Sequence, residues 1–399
     1  MTHLRGKNDH FHAVTASFLG WTLDAFDFFI VTFVLTDIGK EFGRSRIEMA
    51  GVITLTLAMR PLGAIIFGLM ADRYGRRLPL MIDLVFFSVI EVASGFAQTY
   101  TQFLILRALF GIGMGGEWGV GASLAMEKAP TKSRGLMSGL LQEGYAAGNL
   151  LAAICYLFVY PHLGWRPMFF IGGIPALLAI YVRYGVTESE VWERTKSKNW
   201  SHLGKAVFSH WKLFLFIFAM MTAMNFVSHG TQDLFPTFLK VVKGFDPKQV
   251  AYMGIVYNIG AILGGLVMGY YSDRVGRRRA MITSLLLATA VIPLWVLSPT
   301  SALLVLGAFL MQFMVQGAWG VVPVHINELA PDSVRGFLPG FAYQCGVAVA
   351  GVAPTLQEAL AKHYSMASVM ALSCGMAFLI AAFIIYMGHE KHRTEFGVI

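Results

Sequence analysis

Charge is scarce in this sequence. Asp, Glu, Lys and Arg supply 14% of its 399 residues, where a soluble domain has about 25%. Hydrophobic residues make up 56%. That balance excludes an ordinary soluble domain and points to a membrane protein. Cysteine is equally sparse. Cys155, Cys345 and Cys374 all fall in apolar stretches, which leaves no disulfide framework and no cysteine metal set. No G-x-x-x-x-G-K-S/T segment is present to cradle a nucleotide phosphate, which argues against primary pumping by ATP. No nucleophile–base pair or metal constellation stands out, so the chain reads as a non-enzyme without cofactor or metal. The net charge of +8 is not gathered in one patch. Basic residues recur in short clusters between apolar runs, as membrane loops do, and nucleic acid is not an expected partner. The polar start, Met1 to Ala13, runs into apolar sequence without an A-x-A-like site. We read it as leading into a retained first span rather than a signal peptide.

Long apolar runs are what the sequence has in abundance. A bilayer core takes about 20 apolar residues per helix. Twelve segments meet that length: 14–36, 47–71, 78–98, 101–126, 135–160, 166–186, 212–240, 247–272, 279–298, 301–327, 336–360 and 365–388. The polar stretch from Thr187 to Trp211, with Glu188, Glu190, Glu193, Arg194, Lys196, Lys198 and Lys205, separates two sets of six. The expected class is an all-α membrane protein with twelve transmembrane helices in two six-helix bundles. The expected division is a bundle over 1–186, a central cytoplasmic loop over 187–211, and a bundle with a short tail over 212–399. With both termini inside, about 21 of the 31 Lys and Arg fall on the cytoplasmic side, about 8 outside and about 2 within spans. This bias predicts cytoplasmic termini and a multi-pass protein of the cell inner membrane, surrounded by lipid.

The two halves repeat each other. Gly68 to Arg77 reads GLMADRYGRR and Gly269 to Arg278 reads GYYSDRVGRR, 201 residues apart (269 − 68). The same offset relates Trp118 to Trp319, Glu127 to Glu328, Pro130 to Pro331, Arg134 to Arg335 and Gly135 to Gly336. A constant offset over several motifs implies two equivalent bundles, and repeats of this kind place a substrate site between them near the bilayer midplane. The G-x-x-x-D-R-x-G-R-R motif, present twice, resembles the signature of the major facilitator superfamily. Arg107 with Gly111, Gly113 and Gly115 is similar to that superfamily's R-x-x-x-G-x-G-x-G pattern. Small residues of this kind permit close helix packing. Asp72, Arg73 and Arg76, with Asp273, Arg274 and Arg277, are candidate gating residues: an ion-pair latch that opens with the cytoplasmic side. The alternative is that the basic residues simply hold their loops inside.

Ionisable residues deep in a span cost several kcal/mol and mark function by default. Asp24 and Asp27 lie in the middle of the first span, spaced to share a helix face. Arg60 lies mid-span in the second, Glu117 in the fourth, and Glu143 and Tyr145 in the fifth. The seventh carries Asn225, Ser228, His229, Thr231, Gln232 and Asp233 together. Asn149, Asn258, Gln312, Gln316 and Gln344 add polar groups at plausible midplane depth. Under the 201 offset Asp24 maps to Asn225 and Asp27 to Ser228, so spans 1 and 7 are expected to face each other across the cavity. Arg60 maps to Ala261, which leaves one central cation without a twin. One guanidinium among carboxylates suits an anionic substrate moved with a proton. The competing readings are packing roles: a permanent ion pair of Asp24 or Asp27 with Arg60, helix-to-helix hydrogen bonds for Glu117 and Glu143, and a buried packing role for His229.

Asn225 to Thr237 reads NFVSHGTQDLFPT. It is similar to the N-x-x-S/T-H-x-S/T-Q-D-x-x-x-T fingerprint of the Jen-type monocarboxylate/proton symporters, and every specified position matches. The span 1 run GWTLDAFDFF also resembles the related sialic-acid/proton symporters. The resemblance implies a proton-coupled symporter of short monocarboxylates such as lactate. It places Asn225, His229 and Asp233 in substrate and proton handling, with Gln232 and Thr237 tuning the pathway. The chain lacks the long termini of the fungal members, which suggests a bacterial protein. Combined with the midplane charges, the expected substrate ligands are Arg60, Asn225, His229, Tyr145, Asn258 and Gln344. The expected proton-coupling groups are Asp24, Asp27, Asp233 and Glu117. A small monocarboxylate and the proton are the expected partners of a monomer. Alternatives are uptake of a larger acidic metabolite such as sialic acid, or a transporter-derived sensor.

Overall fold

The computed structural model describes residues 9–196 and 199–397. The first eight residues of the polar start, and Lys198 of the central stretch, lie outside the described residues. The first half contains α1 (Asp9–Glu41), α2 (Arg46–Tyr74), α3 (Arg77–Gly95), α4 (Tyr100–Lys128), α5 (Arg134–Gln142), α6 (Gly144–Leu163), α7 (Arg166–Ile171) and α8 (Pro175–Gly185). Two short helices follow, α9 (Glu190–Thr195) and α10 (Trp200–Ser209). The second half contains α11 (Trp211–Gln232), α12 (Phe235–Val241), α13 (Pro247–Val275), α14 (Arg277–Val296), α15 (Ser301–Leu329), α16 (Leu338–Ala350), α17 (Ala353–Ala361) and α18 (Met366–Met387). Joined end to end, α5–α6, α7–α8, α11–α12 and α16–α17 each form one span, giving twelve spans in two bundles of six.

Among the described residues, eleven segments are long and apolar enough to cross a membrane by themselves. The twelve expected spans are all present, and the one outside this set of eleven is the eleventh span, built of α16 and α17. There α16 stops at Gly351, and Pro354 stands in the first turn of α17. Proline has no N–H to donate and ends the helical ladder before it. Span 7 breaks in the same way: Asp233 and Leu234 separate α11 from α12, whose first turn holds Pro236. The central stretch, expected as a loop, carries α9 and α10. Their N-caps are Ser189 and Asn199, each side chain accepting the backbone N–H of the third residue after it.

The sequence repeat is repeated in structure down to the caps. Ser45 with Glu48 and Asp246 with Gln249 form capping boxes at the starts of α2 and α13. Thr99 and Thr300 cap α4 and α15. The motif glycines Gly75 and Gly276 turn the chain between spans at φ 101° and 100°, a region that side chains disfavour. Within each bundle, glycine permits the closest helix approach. A Cβ on Gly115 of α4 would collide with the backbone carbonyl of Arg60 on α2, and one on Gly264 of α13 with that of Phe313 on α15.

The two bundles meet chiefly on the half nearer the central helices, where the chain also enters at Asp9 and runs out past Gly388. We call this the linker face. There α5 packs on α13 and α15, and α16 packs on α2 and α4. On the other half, α6 touches α13 only marginally. The bundles thus close on the linker face and spread toward the opposite one.

Candidate functional site

Between the bundles lies a cavity of about 350 Å3. It is walled by spans 1, 2 and 5 on one side and by spans 7, 8, 10 and 11 on the other. Arg60 projects from α2 with 3% of its surface exposed. Its Nε and one Nη have no hydrogen-bond partner among the described residues, and its Cζ lies 5.8 Å from the centre of the Tyr343 ring. The expected alternative of a permanent ion pair with Asp24 or Asp27 is not seen, since neither carboxylate has a hydrogen-bond partner among the described residues. A buried guanidinium without a counter-ion is costly and receptive to an anion.

Across the cavity, α11 presents Asn225, Ser228, His229 and Gln232, one helix face at 3- and 4-residue spacing, with Asp233 just beyond. His229 Nδ1 and Asp233 Oδ2 are 3.0 Å apart, and the two side chains keep 27% and 33% exposure. Gln232 donates to Gln312 Oε1 at 3.1 Å, tying span 7 to span 10. Tyr145 stacks on Trp21 at 5.5 Å and meets Phe29 edge-on at 5.1 Å. Asn258 also lines the cavity, its amide donating to Gly254. Of the expected ligands, Arg60, Tyr145, Asn225, His229 and Asn258 are therefore brought to one space, together with Asp233.

Other expected residues are not. Gln344 is fully buried between α16 and α4, where it donates to the Gly115 carbonyl at 3.4 Å. Asp24, Asp27 and Glu117 do not line the cavity either. Helix α1 gives the cavity Trp21, Phe28 and Phe29, and turns its acidic face into its own bundle. Spans 1 and 7 therefore do not present matching polar faces to each other. Glu117 fills the space above Gly20 of α1, and Asp27 shares the space above Gly172 with Glu91. Thr237 is exposed, outside the cavity lining.

The acidic face of α1 meets residues that sequence reasoning missed. Asp83 and Glu91 on α3 are fully buried. Glu91 accepts from Arg107 at 2.6 Å, and Arg107 also donates to Ser94 at 2.5 Å. Both oxygens of Asp24, Asp27, Asp83 and Glu117 lack partners among the described residues. The signal was available: two acids eight residues apart in an apolar run fall on one helix face.

The second arrangement is the contact on the linker face. Asp72 accepts from the amides of Gly336 at 2.8 Å and Phe337 at 3.0 Å, at the start of span 11. Asp273 accepts from Gly135 at 2.8 Å and Leu136 at 3.1 Å, at the start of span 5. Each bundle thus lays a carboxylate on a helix N-terminus of the other, where free N–H groups and the helix dipole favour it. The expected Asp–Arg pairs stay within bundles: Arg76 with Asp72 at 2.5 Å and Arg277 with Asp273 at 2.7 Å. Arg76 also reaches Glu127 at 2.9 Å, and Arg277 reaches Glu328 at 3.0 Å. Arg73 lies over the Tyr74 ring, and Arg274 bonds Tyr270 on its own helix. The ion pairs that cross between bundles were not foreseen as a latch: Arg134 with Glu328 at 3.2 Å and Arg335 with Glu127 at 3.6 Å. Phe396 of the tail sits between these two arginines, 4.0 Å from Arg134 and 3.8 Å from Arg335, and the Thr394 carbonyl accepts from Arg134 at 2.8 Å.

Residues 17–264 and 234–397 match the family model described as Major Facilitator Superfamily. The "Carboxylic acid transporter protein homolog" of Saccharomyces cerevisiae is 29% identical over 95% of this chain and 68% of its own length. The "Probable 4-methylmuconolactone transporter" of Cupriavidus pinatubonensis is 31% identical over 93% of this chain and 89% of its own. Among solved structures, the proton:xylose symporter XylE superposes with a TM-score of 0.77 at 20% identity, covering 98% of each chain, a likeness of fold. With the family model matching most of its length, the chain belongs to the major facilitator superfamily of multi-pass membrane transporters and is not an enzyme.

Proposed function

We propose that the chain is a proton-coupled symporter of short monocarboxylates such as lactate, working by alternating access of its two bundles. The observation that carries this reading is Arg60, a buried cation without a salt-bridge partner among the described residues, facing Asn225 and His229 across a closed-ended cavity. A carboxylate seated there gains bidentate, charge-assisted hydrogen bonds. The yeast relative named for carboxylic acids supports the class of cargo.

Coupling follows from charge. Asp24 and Asp27 lie behind the cavity wall, in a bundle that also holds Arg60 and Arg107. An ionised, unpartnered carboxylate in that interior is costly. A substrate anion on Arg60 offsets a positive charge that favours ionisation of Asp24, so anion and proton bind together, and the linkage is reciprocal. Asp233 beside His229 is the second candidate proton carrier. The Lys and Arg bias supports a cytoplasmic linker face in a protein of the cell inner membrane. The closed linker face then makes this the outward-facing state. The path lies within one chain, consistent with a monomer.

A larger acidic metabolite, such as sialic acid, is the second reading. It is favoured by a cavity of about 350 Å3 walled by Trp21, Tyr145, Tyr257 and Trp319, roomy for a three-carbon acid. Uptake into proteoliposomes under an imposed proton gradient, with a panel of carboxylates graded by size, tests both. Accumulation of lactate or a close analogue supports the first reading, and accumulation of bulkier acids alone supports the second. No proton-driven uptake of any carboxylate removes the proposal.

A further inference from the structure

Glu143 stands at the junction of α5 and α6, on the cavity floor. It is 4% exposed, and its Oε1 is buried with no hydrogen-bond partner among the described residues. The carboxyl reaches across the bundle boundary onto the backbone of Gly265 on α13, where a side chain would collide with it. The same cavity is lined by Tyr257 of α13, Trp21 of α1, and Gln316 and Trp319 of α15, while the adjacent Gln142 accepts from Trp118 of α4. The charged groups that share its cavity are Arg60, His229 and Asp233.

The same helix pair forms the contact on the linker face. Farther along α5, Gly139 meets the Gly265 carbonyl and Gly135 meets that of Gly269, and Asp273 of α13 accepts the Gly135 and Leu136 amides. Closing this contact presses the Glu143 carboxyl against Gly265, and opening it must draw them apart. In the closed contact the Oε1 of an ionised carboxyl loses water and gains no partner, a cost the neutral acid largely avoids. Closure and protonation are therefore linked, each favouring the other.

We propose that Glu143 is a proton-binding gate residue. While the linker face is shut, its carboxylate takes a proton from cavity water. Once α5 and α13 part, the acid returns that proton to water on the linker face. The use of this proton in transport rests on the symport reading above, whereas the link between protonation and closure stands without any substrate.

The experiment is a distance measurement across the linker face of the full chain in lipid nanodiscs, by spin labels on exposed positions of the two bundles, from pH 5 to pH 9. The wild type is expected to open as pH rises, with the closed-to-open ratio changing by up to about tenfold per pH unit for one linked proton. Glu143→Gln is expected to stay closed throughout, and Glu143→Asp to keep a pH response. A pH-insensitive wild type overturns the proposal without need of any variant. A folded Glu143→Gln protein that opens with pH as the wild type does also overturns it. Failure of proton-driven carboxylate uptake with this gate response intact counts against the symport reading alone.

Discussion

Removing one charge from the linker-face contact is expected to open it. Asp72 holds the Gly336 and Phe337 amides across the boundary, at 2.8 and 3.0 Å, and is fully shielded from water. Hydrogen bonds to a charged group contribute about 1.5–3 kcal/mol each. In Asp72→Asn one amide oxygen still accepts, but as a neutral group, and the new NH2 meets the second backbone N–H with a donor. Arg76 loses a partner in both conformations, so that loss largely cancels, and it keeps Glu127. The net shift is about 2 kcal/mol toward the open state, or about 30-fold in the ratio. A protein about 99% closed would become about one-quarter open by that factor. Asp273→Asn should match it through Gly135 and Leu136. The two carboxylates share no hydrogen-bond partner, so the double variant should approach about 1,000-fold. Spin-label distances across the linker face, at fixed pH, read the populations. Unchanged distributions in both folded single variants would refute the latch and leave these charges only a topological role.

Arg60→Ala should weaken carboxylate binding by about 100-fold or more with folding intact, and Arg60→Lys should rescue poorly because ammonium lacks the planar fork; titration calorimetry showing unchanged affinity would take Arg60 out of the site. Asp24→Asn and Asp27→Asn should lose uphill accumulation while keeping equilibrium exchange, and if both still accumulate substrate with normal pH dependence, Asp233 becomes the leading carrier. Phe396→Ala removes a ring lodged between Arg134 and Arg335. With about 0.5–2 kcal/mol per cation–π contact, it should lower the closed-to-open ratio several-fold in the same distance measurement, and no change would make the tail a bystander.

Spans were legible to within a few residues because apolar length and turn chemistry are local properties. The second span, expected over 47–71, is Arg46–Tyr74, and the tenth, expected over 301–327, is Ser301–Leu329. The cavity lining from span 7 was legible because its polar residues share one face of one helix. What failed was rotation. Residues 24 and 27 are close enough to 21 and 28 that depth alone cannot say which pair meets the cavity. Packing decided it, since Trp21 and Phe28 flank the cavity while the acids meet α3 and α4. Gln344 misled for the same reason, being at the right depth but on the face that meets Gly115. Asp83 and Glu91 were passed over because the run around them reads as uniformly apolar. The cross-bundle latch was hidden because its donors include backbone amides, which carry no residue signature.

The reciprocal grip of Asp72 and Asp273 has the form of an isologous dimer interface, in which patch i meets patch j and j meets i. Two separate identical copies would close in the same way, but they would be bound by their symmetry at the centre as well. Any cation placed there would appear twice across the axis, and two guanidinium groups facing one small anion would repel each other when it left. Because both copies lie in one chain, the rim keeps the doubled contact while the middle departs from it. Ala261 stands where the repeat would set a second Arg60, so the cavity offers a single guanidinium from these two positions.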